Sequence, residues 1–420
     1  MQKKYAASLG LGLAAVLVLT GCSNKANGGA SGGEDGDLKT DFGITEDTIT
    51  LGVLTDFSGV FKAVGLNLTQ GNQLWADEVN SNGGICGREI EIQTQDHGYK
   101  PDSAVPLYEQ SKQDIAGYIQ LLGSPVVAAL KTKVVNDQMM TVIGANSTIL
   151  LDNDYLLMPG TGYDLEMVNG LAWAAEQGML ADGDKIAHIY VDSEYGQNGL
   201  MGSKAYAKEH DVEVVEVPVG AADTDMTATI TKLKNDGVKL IALTLTPAGA
   251  ASVALQNQTQ GLNVPIIANS PNFATSLLAN DSVVAAMANV HVAQGHEPYS
   301  GNSELSKEIQ ARFGQAFPGE EPGYGVPAGY LGGLMWEAIL TKACESGDMT
   351  RAGLLEARTS LDDVEGKGLS ENMDLSKPGV PPVRSAYVLK IDPNAAGGES
   401  IVEGPYLSAE AEEYQTPHQK

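Results

Sequence analysis

The chain is poor in aromatic residues, in positive charge, in cysteine and in long apolar runs, and each scarcity closes off a class of protein. Aromatics make up 6% of 420 residues, and Lys plus Arg number 26 against 53 Asp plus Glu, a formal net charge of −27. So acidic a chain disfavours nucleic acid and anionic membrane surfaces as partners. Three cysteines exclude a disulfide-built mini-scaffold and leave no room for a structural zinc cluster. The six histidines lie singly, and neither a metal nor another cofactor is expected. Beyond the first residues no run is long and apolar enough to span a bilayer, which takes about 20 residues. A Walker A loop, an HExxH motif, a GxSxG elbow and an EF-hand loop are all missing, so no enzyme is expected. What is present is 43% hydrophobic residues, recurring from Ile44 to Leu407. That is material for a large core and for two domains.

The start of the chain reads as an address. Met1-Gln2-Lys3-Lys4 is followed by an apolar stretch from Tyr5 to Leu19 and then by Leu19-Thr20-Gly21-Cys22. A basic start, a short apolar stretch and small residues before a cleavage point describe a secretory signal over residues 1–21. Leu-Thr-Gly-Cys resembles a bacterial lipobox, which makes Cys22 the expected lipidation site and first mature residue. Residues 22–44, rich in Gly, Ser and Asn, read as a flexible tether. The expected location is extracytoplasmic, with the body held to the cell membrane through the lipid alone, at the cell surface or in a periplasm. Cys86 and Cys344 then remain in an oxidising compartment, where an even pair reads as one disulfide; two buried free thiols are the alternative.

The body alternates strand and helix. Thr48 to Thr55 is a short apolar strand, Gln70 to Val79 has helical spacing, and Arg88 to Gln95 alternates with period two. Ser103–Asp114 and Ser124–Val135 read as helices, with strands at Ile115–Leu122 and Met140–Ile143. The pattern restarts after Pro159, with strands at Lys185–Val191, Val212–Val219, Val238–Leu245 and Val264–Ala268 between helices. This is the text of an α/β protein with two doubly wound parallel sheets. The later segments (Val290–Gln294, Ser303–Phe317, Pro327–Cys344, Ala386–Ile391) exceed what the second sheet needs, so the chain is expected to cross back. The lobes are drawn as 45–163 plus 297–378 and 164–296 plus 379–410, with 411–420 as a tail. Under that division Cys86 and Cys344 share lobe 1, and a bond between them is the expected pairing.

Small neutral hydrogen-bonding groups stand just after two consecutive strands. Gly123-Ser124-Pro125 opens a helix, with Ser124 read as its cap, and Gly144-Ala145-Asn146-Ser147-Thr148 follows the next strand. Ligands of open parallel sheets bind outside the carboxyl ends of strands, and exposed N–H groups and hydroxyls there suit a carboxylate or another acceptor-rich group.

Four segments in order resemble one family. Ile49-Thr-Leu-Gly-Val-Leu-Thr-Asp-Phe-Ser-Gly59 resembles the opening strand and loop of branched-chain amino-acid-type ABC transporter substrate-binding lipoproteins. Gly71 to Ile90, with Asn82-Gly83-Gly84, resembles their first helix, turn and second strand. Asp192-Ser-Glu-Tyr-Gly-Gln-Asn-Gly199 resembles their second-lobe loop, and Gly329-Tyr330 their late helix. The resemblance implies a type I periplasmic-binding-protein fold, in which two lobes joined by three crossovers clamp a solute for permease subunits. It also implies a monomer. A receptor of the same fold that signals to a membrane protein is the alternative, as is a true branched-chain amino-acid binder.

Position by position, the resemblance implies that Ser124, Ala145 and Ser147 hold an acid group, with Asn146 in the same loop as a further candidate, and Thr246 and Asn272 as candidates from the second lobe. By the same likeness Tyr195 closes from the second lobe and Phe61 packs on the apolar part. Thr246 stands where relatives often carry an aromatic residue. The loop expected to supply an acid for an α-ammonium reads Asn269-Ser-Pro-Asn272-Phe-Ala-Thr, and Pro265 to Asn280 contains no Asp or Glu. A buried ammonium without an acidic partner is costly. The expected ligand is therefore a carboxylic acid, an amide or a urea-like solute. An amino acid would need Asp56, Glu194 or Glu297 to supply the charge.

Overall fold

In the computed structural model, which describes residues 38–419, two runs of alternating strands and helices are followed by a third part that returns to both. The signal, Cys22 and the first part of the tether lie outside the described residues. The first run holds β1 (Lys39–Thr40), β2 (Thr48–Thr55), α1 (Lys62–Ser81), β3 (Glu89–Asp96), α2 (Pro101–Ser111), β4 (Gly117–Leu122), α3 (Ser124–Asn136), β5 (Thr141–Gly144) and β6 (Leu156–Leu157). The second holds α4 (Tyr163–Glu176), β7 (Lys185–Val191), α5 (Glu194–Glu209), β8 (Glu213–Val219), α6 (Thr227–Asp236), β9 (Leu240–Thr244), α7 (Pro247–Thr259), β10 (Ile266–Asn269), α8 (Asp281–Met287) and β11 (Val290–Gln294). The third holds α9 (Glu304–Ala316), α10 (Gly325–Glu345), β12 (Asp348–Met349), α11 (Arg351–Thr359), β13 (Ala386–Ile391), β14 (Glu399–Tyr406) and α12 (Ala409–Glu413).

Strands β3-β2-β4-β5-β6 form a five-stranded parallel sheet. The other large sheet runs β14-β13-β11-β10-β9-β7-β8. It departs from the expected all-parallel pattern, because β13 and β14 are antiparallel to their neighbours. The strand β14 at Glu399–Tyr406 was not expected; its Gly404 and Pro405 are tolerated at a sheet edge. The central β2 is buried along most of its length while the edge strand β3 alternates, Ile90 inward and Glu89 and Glu91 outward. The chain passes between the sheets after β6, after β11 and before β13.

The first sheet carries a core on each face. One joins Leu51 and Val53 to Trp75 of α1 and to Leu331, Met335 and Trp336 of α10. The other joins Leu54 and Leu121 to Val126 and Leu130 of α3. Helices α1 and α10 meet backbone to backbone: a methyl group added at Gly71, Gly325 or Gly329 would strike main-chain atoms of the facing helix. Cys86, just beyond α1, is bonded to Cys344 in the last turn of α10, with Cα atoms 6.1 Å apart, inside the usual range.

Both ends of the described chain differ from expectation. Residues 38–44, drawn within the tether, belong to the body: Lys39 and Thr40 pair with Asp348 and Met349, and the Arg351 guanidinium lies 4.3 Å from the Phe42 ring centre. Residues 411–419, drawn as a tail, are also bound down. Arg384 Nη2 donates to the Ala411 carbonyl at 2.7 Å, and Tyr414 Oη donates to Asp164 at 3.2 Å. His418 Nε2 lies 2.9 Å from the Ile149 carbonyl. Both segments lack periodicity; a two-residue strand pairing fixes the first and side-chain hydrogen bonds fix the second, which a periodicity argument does not detect.

Candidate functional site

A cavity lies between the carboxyl ends of the two sheets. Phe61, Val64, Leu68 and Ala328 line it from α1 and α10, Ser124 and Asn146 from the loops after β4 and β5, and Tyr99, Tyr163, Tyr195 and Tyr324 from elements around it. The walls leave ≈ 20 Å³ between them, room for about one water, so a larger ligand must part them. One apolar cluster runs from Val64 and Leu68 through Phe61 and Tyr195 to Ile189 and Leu243 of the second sheet. The lobes are thus in contact across the site.

Each lining residue on the first-sheet side is placed by its own loop. Asp56, at the end of β2, folds its carboxylate back on the turn, accepting from the Ser58 N–H at 3.1 Å and the Phe61 N–H at 2.9 Å. This turn chemistry stations Phe61, whose ring meets Tyr99 at 4.8 Å and Tyr195 at 5.9 Å. After β4 the cap of α3 is Gly123, with φ 97°, and Ser124 is the first helical residue rather than the cap. A side chain at Gly123 would strike the Tyr99 ring at 2.6 Å, so the glycine lets that ring lie on the loop. Asn146 turns its Nδ2 to the Pro159 carbonyl at 3.4 Å.

The remaining expected residues stand behind the lining. Ala145 is buried among Ile143, Val126 and Leu150. Ser147 Oγ donates to the Glu194 carbonyl at 2.9 Å and so ties the β5 loop to the start of α5. Thr246 caps α7, accepting from the Gly249 N–H. Asn272 works through Tyr195: its Oδ1 accepts from the Leu245 N–H at 2.8 Å, while its Nδ2 lies 3.2 Å from Tyr195 Oη. Tyr195 Oη in turn donates to the Leu245 carbonyl at 2.9 Å. Of the eight expected binding residues, Phe61, Ser124, Asn146 and Tyr195 line the cavity.

Tyr99, Tyr163 and Tyr324 were not among the expected residues. Burial holds all three phenols well above their ordinary pKa, and they are neutral. Tyr163 packs on Tyr195 at 4.8 Å, and its hydroxyl lies against the Asn146 N–H.

The three carboxylates considered for an ammonium are accounted for. Asp56 serves its own turn. Glu297 accepts from the Asn302 N–H at 2.8 Å and from Ser303 Oγ at 2.6 Å. Glu194 is half-buried outside the lining. A fourth acid reaches the Asn269–Ser270 loop from α4: Glu166 accepts from Asn269 Nδ2 at 3.0 Å and from the Ser270 N–H at 3.2 Å. Burial pushes its carboxyl up to about 8, so it is neutral at pH 7.

The architecture and the interlobe cavity agree with the comparisons. A family model described as periplasmic binding protein matches residues 48–399. A fatty acid ABC transporter substrate-binding protein from Thermomonospora curvata is 35% identical, with 90% of this chain and 97% of that one covered and a TM-score of 0.87. A branched-chain amino acid ABC transporter protein from Thermus thermophilus with bound valine shares the fold at 17% identity, covering 88% and 98%, TM-score 0.77. The isoleucine complex of a branched-chain amino acid transporter substrate-binding protein from Streptococcus pneumoniae does so at 20% identity, covering 85% and 99%, TM-score 0.69. No curated protein matches the chain at the sequence level. The chain belongs to the periplasmic binding protein family. Its fold is the expected type I fold, and its role is that of an extracytoplasmic solute-binding receptor of an ABC importer.

Proposed function

We propose that the solute is an apolar carboxylic acid of the fatty-acid type, received as a ligand and passed on to the permease without chemical change. The carrying observation is the lining: aromatic and aliphatic side chains with Ser124 and Asn146 as small polar groups, and no acid among them. An α-ammonium would be buried there without a counter-charge, at a cost of several kcal/mol, whereas an alkyl chain gains from the same walls. The 35% identical relative is named for fatty acids, which supports the reading.

Ser124 and Asn146 take the acid group, Phe61 and Tyr195 close on the chain, and Asn272, Thr246, Ala145 and Ser147 hold those groups from behind. Closure is a motion of the bodies 45–163 plus 297–378 and 164–296 plus 379–410. The receptor is a monomer, held to the membrane by lipid on Cys22. Titration calorimetry of leucine against 4-methylpentanoate, its deaminated acid, tests the ligand class. The acid is expected to bind at least tenfold tighter, about 1.4 kcal/mol; leucine binding tighter by that margin overturns the reading and turns attention to Glu194. For the anchor, a Cys22→Ala variant that stays in the membrane fraction like the parent excludes lipidation.

A further inference from the structure

The charges around the cavity bear on the form in which an acid is held. No Lys, Arg or His lines it. Lys62, beside Phe61, is exposed and outside the lining. Behind the walls the ionisable groups are acids or neutral rings. Glu166 on α4 and Glu194 at the start of α5 stand behind the tyrosines, Asp56 beside Tyr99, and Glu399 near Tyr324. His97 accepts from the Tyr99 N–H at 2.9 Å, and the His296 ring lies 5.1 Å from that of Tyr324. Burial keeps both imidazoles below their ordinary pKa, His296 at about 4, and so neutral at pH 7.

Asn146 adds a directional element. One Nδ2 hydrogen is engaged by the Pro159 carbonyl at 3.4 Å, which leaves the second N–H and the amide oxygen open, so the amide can donate to an acid carbonyl and accept from an acid O–H together. An oxygen acceptor repels a carboxylate and accepts from an acid O–H. A carboxylate enclosed here would face neutral walls, with the Ser124 hydroxyl as a neutral donor, Asp56 and Glu194 behind the tyrosines, and no cation in the lining to offset its lost hydration.

We propose, building on the fatty-acid-type reading above, that the site takes its ligand as the uncharged carboxylic acid, so that ligand bound at neutral pH carries in a proton from solvent. Asn146 Oδ1 accepts the acid O–H and Ser124 donates to the acid carbonyl. In water an alkyl carboxyl titrates near the glutamate value, about 4.3. A ligand bound only when protonated therefore loses affinity about tenfold per pH unit above that value.

Calorimetry of octanoate binding, repeated in buffers of different ionisation enthalpy at pH 7, counts the protons taken up; octanamide, which carries no ionisable group, gives the protein's own contribution. The expected result is more than half a proton per octanoate after subtraction of the octanamide value. Its dissociation constant is expected to rise about tenfold from pH 6 to pH 7, with that of octanamide unchanged. The Glu166→Gln variant is expected to keep the octanoate uptake. Uptake below half a proton with an affinity flat in pH, or equal uptake with octanamide, overturns the proposal and leaves the fatty-acid-type reading standing. Absence of octanoate binding at both pH 5 and pH 7, with leucine bound, overturns both.

Discussion

The two walls of the cavity are held by different means. On the first-sheet side, α1 and α10 lie in backbone contact through Gly71, Gly325 and Gly329, and a disulfide joins their far ends. On the second-sheet side, Tyr195 is held by side-chain hydrogen bonds that pass through Asn272 and Leu245. Backbone contact between helices has no rotamer freedom and little room to relax, whereas a hydrogen-bonded side chain can be retuned one partner at a time. On the reading proposed above, the first wall would set where a ligand rests and the second how firmly it is grasped.

The contrast is most severely tested at the disulfide. Replacing Cys86 and Cys344 together by alanine is expected to cost about 5 kcal/mol of stability, given their sequence separation of 258. Denaturant unfolding measures it, and a loss under about 1 kcal/mol would mean that the helix pair needs no tie. Next, Gly329→Val should cost about 3 kcal/mol by overpacking α1; a variant of unchanged midpoint would show that the first wall yields after all. Asn272→Ala should leave the Leu245 N–H unpaired and release Tyr195, with a loss of about 2 kcal/mol. It should weaken ligand binding more than it changes the position of a bound ligand. Equal binding by parent and variant would remove Asn272 from the second wall.

A further effect concerns pH. Glu166 and Glu399 are both pushed up to about 8 by burial. Between their unfolded values and pH 8 the folded state binds more protons than the unfolded one, so stability falls as pH rises and levels off above 8. Buried His296 and His188, lowered to about 4 and about 3, act oppositely but only below about pH 6.5. From pH 6.5 to 8 each acid should therefore contribute a fall of up to about 1.4 kcal/mol per pH unit. Thermal unfolding across that window should show a shallower slope in Glu166→Gln, and an unaltered slope would place the titration elsewhere.

Ser124 and Asn146 were legible because each follows a strand directly in a loop whose local chemistry is readable, and Phe61 was supplied by the resemblance. Tyr99, Tyr163 and Tyr324 were not, because they come from three distant segments and share no spacing. Their convergence depends on the chain crossing between sheets, and β13 and β14, which finish that crossing, were only half visible. The resemblance supplied Tyr195 but not its support: that Asn272 acts on a tyrosine 77 residues away follows from tertiary packing alone. Likewise the acid-free loop at Asn269 was read correctly as text, while Glu166 beneath it belongs to another helix.

Residue 38 enters the molecule through a particular load path. The Lys39 N–H bonds the Gly347 carbonyl at 3.0 Å, Asp41 accepts from the Arg351 N–H at 3.1 Å, and Arg351 reaches on to the carbonyls of Asp137 and Ile115. These belong to the small β1–β12 sheet, to α11 and to segments flanking the first sheet. A pull on the chain at this point is spread as shear through α11 and the ends of α2 and α3, and no link in that series touches the second sheet. On the anchoring proposed above, such a pull would load the first-sheet half of the clamp as a handle and leave the second-sheet half outside the loaded path.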